Sequence, residues 1–211
     1  MTIDDILRAG LVMPVVVIDD AAQAVPLARA LVAGGIRAIE ITLRTGAALE
    51  AIQAIARDAP DAIPGVGTAV TPADVLAALD AGAKFIVSPG MTPALAQAAI
   101  GSGLPFLPGV ATASELMAGM AAGLSAFKFF PAAQAGGIDG LKALGGPFPN
   151  VRFCPTGGVS ATNAAAYLAL PNVACVGGSW LAPRDLIAAG DFARIEQLAR
   201  EASALRPDPE G

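Results

Sequence analysis

Lys128 stands in the run Ala126, Phe127, Lys128, Phe129, Phe130, Pro131, a single amine among apolar and aromatic neighbours. A lysine desolvated in such surroundings favours its neutral amine, the nucleophile that condenses with a ketone to form a Schiff base. Other sources of such chemistry are few. The chain has three lysines, Lys84, Lys128 and Lys142, and no histidine, so acid/base and nucleophilic work must come from lysine, carboxylates, tyrosine, cysteine or threonine. The structural alternative is a strand-end lysine whose stem packs while its ammonium reaches solvent.

Glu40 is the second unusual residue, a carboxylate inside the apolar run Ala38, Ile39, Glu40, Ile41, Thr42, where it is unfavourable without a partner. Side chains alternate along a strand. Glu40, Thr42 and Arg44 therefore share one face of their strand, as Ala126, Lys128 and Phe130 share one face of theirs. If both faces point inward, Glu40 and Lys128 can meet, as a catalytic pair or as a structural ion pair. Just past its strand, Arg44 offers a fork for a substrate carboxylate, with Thr68 as a hydroxyl partner in the turn Gly67, Thr68; a solvated loop arginine is the plain reading. Two glycine clusters, Gly157 with Gly158 and Gly177, Gly178 with Ser179, follow two late strands. There the bare backbone can approach a phosphate, although glycine pairs are also ordinary turn residues.

These residues need a scaffold, and the chain alternates short Val-, Ile- and Phe-rich runs with Ala- and Leu-rich segments of helical length about eight times. Strands are expected to begin near Pro14, Ala38, Ile63, Lys84, Pro105, Ala126, Val151 and Val173, a little over twenty residues apart. That is close to the shortest repeat holding a strand, a helix and two loops. Helix starts are expected at Asp19 or Asp20, Thr45, Thr71 with Pro72, Thr92 with Pro93, Thr112 or Ser114, and Ser160, and stops at Gly34, Gly35, Gly82, Gly103 and Gly123. Eight such units predict an α/β fold, a (β/α)8 TIM barrel of one domain spanning 1–211, with functional residues at the carboxyl ends of the strands. An open doubly wound sheet is the alternative, though five or six strands are more usual there. An extra N-terminal helix over Thr2–Gly10 and a frayed tail over Pro207–Gly211 complete the expectation.

Composition narrows the partners. With 55% hydrophobic residues a membrane span must be considered, but the longest uncharged stretch, Phe85 to Ser114, is interrupted by Pro89, Pro93, Pro105 and Pro108. The acidic start, Met1 to Arg8, does not read as a signal peptide, so the expected location is cytoplasmic. A net charge of −5 without a basic cluster argues against nucleic-acid binding, leaving small molecules and further copies of the chain as partners. Cys154 and Cys175 lie in apolar runs without metal-ligand spacing and read as small buried hydrophobes of a reducing compartment.

The runs GGIRAIEITLRT (Gly34–Thr45), PGVGT (Pro64–Thr68), FIVSPG (Phe85–Gly90), FKFFPA (Phe127–Ala132) and PTGGV (Pro155–Val159) resemble the family of 2-keto-3-deoxy-6-phosphogluconate aldolases, which includes 4-hydroxy-2-oxoglutarate aldolases. The resemblance covers nearly the whole chain in order. It implies Lys128 as Schiff-base lysine, Glu40 as general acid/base, and Arg44 with Thr68 as binders of the pyruvyl carboxylate. It further implies that Pro89 and Phe130 line the pocket, that Thr156 lies beside the substrate, and that Gly157, Gly158, Gly178 and Ser179 hold a phosphate. Family membership also implies a homotrimer acting on a phosphorylated 2-keto acid without metal or organic cofactor. Related readings are the same imine chemistry on 4-hydroxy-2-oxoglutarate or on the galactonate epimer. From other classes come a phosphate-binding barrel isomerase, which needs no nucleophilic lysine, and a noncatalytic metabolite-binding barrel.

Overall fold

The computed structural model describes residues 1–205; the tail expected over Pro207–Gly211 lies outside them. Its strands are β1 (Val12–Val16), β2 (Ala38–Thr42), β3 (Ile63–Gly67), β4 (Ile86–Val87), β5 (Phe106–Leu107), β6 (Gly109–Val110), β7 (Ala126–Phe129), β8 (Arg152–Pro155) and β9 (Val176–Gly178). Helices alternate with them: α1 (Ile3–Leu7), α2 (Ala24–Ala33), α3 (Ala48–Asp58), α4 (Pro72–Asp80), α5 (Pro93–Gly101), α6 (Ala113–Ala121), α7 (Gly137–Gly145), α8 (Ala164–Leu168), α9 (Arg184–Ala189) and α10 (Phe192–Ser203). All strand pairings are parallel. They form a six-stranded sheet in the order β5-β4-β3-β2-β1-β9 and a three-stranded sheet in the order β6-β7-β8.

The strand expected from Pro105 is split into β5 and β6 at Pro108, whose nitrogen carries no proton for the ladder. At the other margin, single bridges Phe153↔Val173 and Thr156↔Gly177 join the β8 and β9 segments. Side chains from β2 and β7 touch although the strands lie in different sheets, so the parallel sheet curls around on itself.

Strand alternation then sorts the core in two. Outward residues such as Val16, Ile39, Ile41, Val66, Ile86 and Phe127 pack under the helices in the larger cluster. Inward residues Met13, Ala38, Phe85, Val87, Leu107, Ala126, Cys154 and Cys175 form a second cluster, joined by Ile6 and Leu7 of α1. Gly65 makes room for it, because a Cβ there would fall on the Phe85 ring.

Local signals explain half of the helix starts among the described residues. Thr71, Thr92 and Thr112 each accept a bond from a backbone N–H in the first turn, and Asp74 and Glu115 complete capping boxes at α4 and α6. Bonds from the Ala111 N–H, and then from Thr112, hold the Glu115 carboxyl below its usual range. Asp20 caps a 3-10 turn, Ala21–Gln23, that leads into α2. Two expectations differ. Thr45 does not cap α3; its hydroxyl instead donates to the Ile18 carbonyl, tying the end of β2 to the end of β1. Ser160 lies one turn before α8, and its N–H donates to the Asn163 side chain at 2.8 Å.

Candidate active site

Beyond the inward cluster, two residues further along β2 and β7, the interior becomes polar. Glu40 is 2% and Lys128 5% exposed, and Lys128 Nζ lies 3.0 Å from Glu40 Oε1 and 3.3 Å from Oε2. A buried charge without a partner is strongly disfavoured, so each residue makes the other tolerable at this depth. Gly67 is part of the arrangement: a Cβ on it would overlap the Glu40 carboxylate. The register sets Gly109 and Cys154 beside Lys128 and Val15 and Gly65 beside Glu40, small or apolar neighbours that leave the pair to each other. Lys128 Nζ also lies 5.3 Å from the centre of the Phe130 ring, within reach of a cation–π contact.

Above this pair opens a cleft of about 210 Å3 lined by Val15, Val17, Arg44, Phe130, Thr156, Gly157, Gly158, Val159, Gly177, Gly178 and Ser179. Seven of the eleven residues to which the resemblance gives roles line it, as does Gly177 of the second glycine cluster; Lys128 approaches it through Phe130. Arg44 is exposed at its rim and forms no ion pair among the described residues. Thr156 is buried, its hydroxyl 3.4 Å from the Cys154 carbonyl and so only loosely held. Thr68 and Pro89 are not in the cleft lining; they sit just past the ends of β3 and β4, on the same side of the sheet. Thr68 has φ 63°, a left-handed conformation that a β-branched residue adopts only under strain.

The glycine loops are held from behind. The Thr156 and Gly157 carbonyls accept from the Ala132 and Ala133 N–H groups at 2.8 and 3.0 Å, which commits their oxygens to the loop after β7. Gly157 and Gly158 take φ values of 96° and 78°, and side chains there would meet Pro131 and Ala133. The N–H groups of Gly157, Gly158 and Ser179 have no backbone acceptor among the described residues. Such free donors at the rim of a cleft suit an anion.

Val15, Val17 and Val159 were not singled out as cleft residues in the sequence. The alternation that groups Glu40 with Thr42 also groups Val15 with Val17, but a valine in an apolar strand carries no mark of a binding surface. Thr42, buried, holds the two strands together by donating to the Val16 carbonyl at 2.8 Å. A larger groove of about 700 Å3, beside α3 with Asp19, Asp20, Glu50 and Arg57, contains none of the site residues. Among the described residues no cluster of three or more His, Cys, Asp or Glu could hold a metal, and no helix is long and apolar enough to cross a membrane.

Comparison with known proteins agrees with this geometry. The profile of a family described as KDPG and KHG aldolase matches residues 3–198. A 2-dehydro-3-deoxy-phosphogluconate aldolase of Pseudoalteromonas atlantica is 56% identical over 201 residues, 95% of this chain and 93% of that protein. A crystal structure of KDPG aldolase from Legionella pneumophila, with pyruvate captured at low pH as a covalent carbinolamine intermediate, superposes with a TM-score of 0.94. It is 46% identical and covers 97% of this chain and 99% of that one. The 2-keto-3-deoxy-6-phosphogluconate aldolase of Zymomonas mobilis, solved with 3-phosphoglycerate, gives a TM-score of 0.91 at 47% identity, with 98% and 97% coverage.

Proposed function

The chain belongs to the KDPG and KHG aldolase family, and from that premise we propose that it cleaves 2-keto-3-deoxy-6-phosphogluconate to pyruvate and glyceraldehyde 3-phosphate through a Schiff base on Lys128. The observation that carries this reading is the buried Lys128–Glu40 pair, a nucleophile and a proton carrier 3.0 Å apart, with Lys128 against Phe130 of the cleft wall.

A proton passed from Lys128 to Glu40 leaves the amine free to attack the C2 ketone of the substrate. Glu40 returns the proton to the C2 oxygen as the carbinolamine loses water, and a cationic imine remains. The imine draws the electrons of the C3–C4 bond. As the C4 hydroxyl proton passes to Glu40, directly or through water, the bond breaks, an aldehyde departs and an enamine is left. Protonation at C3 and hydrolysis then release pyruvate and regenerate the amine. The imine is itself the electron sink, so the scheme assigns no step to a metal or organic cofactor.

Arg44 and Thr68 are assigned to the pyruvyl carboxylate, Pro89 and Phe130 to the wall, and Thr156 to a place beside the substrate. Gly157, Gly158, Gly178 and Ser179 are assigned to the phosphate, a reading supported by the N–H groups of Gly157, Gly158 and Ser179, which have no backbone acceptor among the described residues. The substrate 4-hydroxy-2-oxoglutarate is the second reading, favoured by the family description; it places a carboxylate where the phosphate would sit. The scaffold is proposed to be one domain closed as a (β/α)8 barrel with α1 as an extra helix across its base. Supporting this are the one-residue interval between β5 and β6, the bridges between the β8 and β9 segments, and the burial of Ile6 and Leu7. A homotrimer is proposed, supported by Leu76, Ile100, Met117 and Met120, apolar residues left exposed on the neighbouring helices α4, α5 and α6. A cytoplasmic location accords with two buried cysteines that remain free thiols.

The direct test is to incubate the protein with pyruvate, reduce with borohydride and locate the adduct by intact mass and peptide mapping. An adduct on Lys128 is expected; a folded protein that forms none would overturn the mechanism.

A further inference from the structure

Trp180 has no role in the chemistry above and does not line the cleft, yet it is built against a residue that does. A Cβ placed on Gly178 would fall within the six-membered ring of Trp180, so the indole occupies the space a side chain at 178 would need. The chain therefore turns back at Ser179, with the Ala182 N–H bonded to the Ser179 carbonyl at 3.3 Å. Trp180 is half-buried against the main core while Ser179 stays exposed at the cleft. On its other side Gly178 is paired in register with Pro14 of β1. The last residue of β9 is thus held between a neighbouring strand and an indole, and the peptide that follows it has little freedom to rotate.

We propose that Trp180 is a positioning residue for the substrate phosphate: by packing onto Gly178 it fixes the Gly178–Ser179 peptide so that the Ser179 N–H and hydroxyl face the cleft. The role rests on the aldolase reading of the same site, and Trp180 acts through its neighbours without touching substrate. Charge-assisted hydrogen bonds to phosphate depend on donor direction, and a donor fixed before binding loses less entropy than one that must be ordered by the ligand. Removing the indole should leave imine chemistry intact and weaken only the phosphate's hold. Gly178 gains a specific reason for its identity: it must lack a side chain because the indole is there.

The test uses Trp180→Ala, Trp180→Phe, Gly178→Ala and the double variant Gly178→Ala/Trp180→Ala. Each is assayed with 2-keto-3-deoxy-6-phosphogluconate and with the same acid lacking phosphate, and inorganic phosphate is titrated as a competitive inhibitor. Trp180→Ala should raise KM for the phosphorylated substrate about tenfold and weaken phosphate inhibition in parallel, with kcat within about threefold and the unphosphorylated acid unaffected. Trp180→Phe, keeping an aromatic face, should recover most of the loss. Gly178→Ala should be impaired in the same way, but the double variant should be no worse than Trp180→Ala alone, because the new methyl then has room. An equal loss on both substrates would reduce Trp180 to general packing and overturn the proposal. A double variant showing the product of the two single losses would also overturn it, since the cost of a methyl at 178 would then be independent of the indole. Should Trp180→Ala fail to fold, Trp180→Phe and Gly178→Ala carry the same comparison. Pyruvate trapping separates the two claims: no adduct in the parent protein rejects the aldolase reading, whereas adducts in every variant without a substrate-specific KM change reject the role of Trp180.

Discussion

The floor and the mouth of the curled sheet are built by the same strands, two residues apart, and behave oppositely. On β7 Ala126 belongs to the floor and Lys128 to the mouth; on β2 Ala38 precedes Glu40; on β8 Cys154 precedes Thr156. A step of two residues, about 7 Å along a strand, keeps the inward face and changes its chemistry. At the floor, burial works against charge. The Cys175 thiol is pushed well above its ordinary value, first by its contact with Cys154 and then by burial. Such a thiol is a small hydrophobe and not a nucleophile. At the mouth, burial is tolerated only because opposite groups meet, and the neighbouring glycine loops leave N–H groups free. Depth in the fold thus sets whether an ionisable residue is structural filling or chemistry.

Three variants probe this contrast, beginning with the largest effect. Lys128→Ala should abolish turnover and the pyruvate adduct while circular dichroism still reports a cooperatively unfolding α/β protein; cleavage at near the parent rate would remove the nucleophile from the mouth. Phe85→Ala should do the reverse, lowering unfolding free energy by about 3–5 kcal/mol in a denaturant titration. Its adduct yield per folded molecule should stay unchanged, and a matching loss of adduct would mean that floor and mouth are not separable. Thr68→Gly should show the smallest change, about 1 kcal/mol or less in stability and in the favourable direction, because glycine relieves the left-handed strain but adds freedom to the unfolded chain. It should still raise KM for the keto acid, and a variant of unchanged KM would strip the strained threonine of its carboxylate role.

Much of this was legible in the residues. Alternation along AIEIT and AFKFF correctly set Glu40 and Lys128 on the faces that meet, because side chain direction in a strand is a local, two-residue property. Thr71, Thr92 and Thr112 were legible as caps for the same reason, each bond spanning three residues. Thr45 was misread because its hydroxyl can accept from a helix N–H or donate to a carbonyl, and here it donates to one 27 residues away. Trp180 carried no readable signal: an aromatic two residues beyond a glycine is commonplace until the turn folds the ring back onto it.

By itself the sequence determined the βα alternation and most of the helix caps it named, and it pointed to Lys128 and Glu40 as an amine and a carboxylate set in apolar strands, since all of these are written in residue type and short spacing. Only the tertiary structure decided that Lys128 and Glu40, 88 residues apart, sit 3.0 Å from each other, that Gly67 must lack a side chain for Glu40 and Gly178 for Trp180, and that Thr68 and Pro89 stand outside the cleft lining. Those distances depend on strand register and on how tightly the sheet curls, and both come from packing summed over the whole chain.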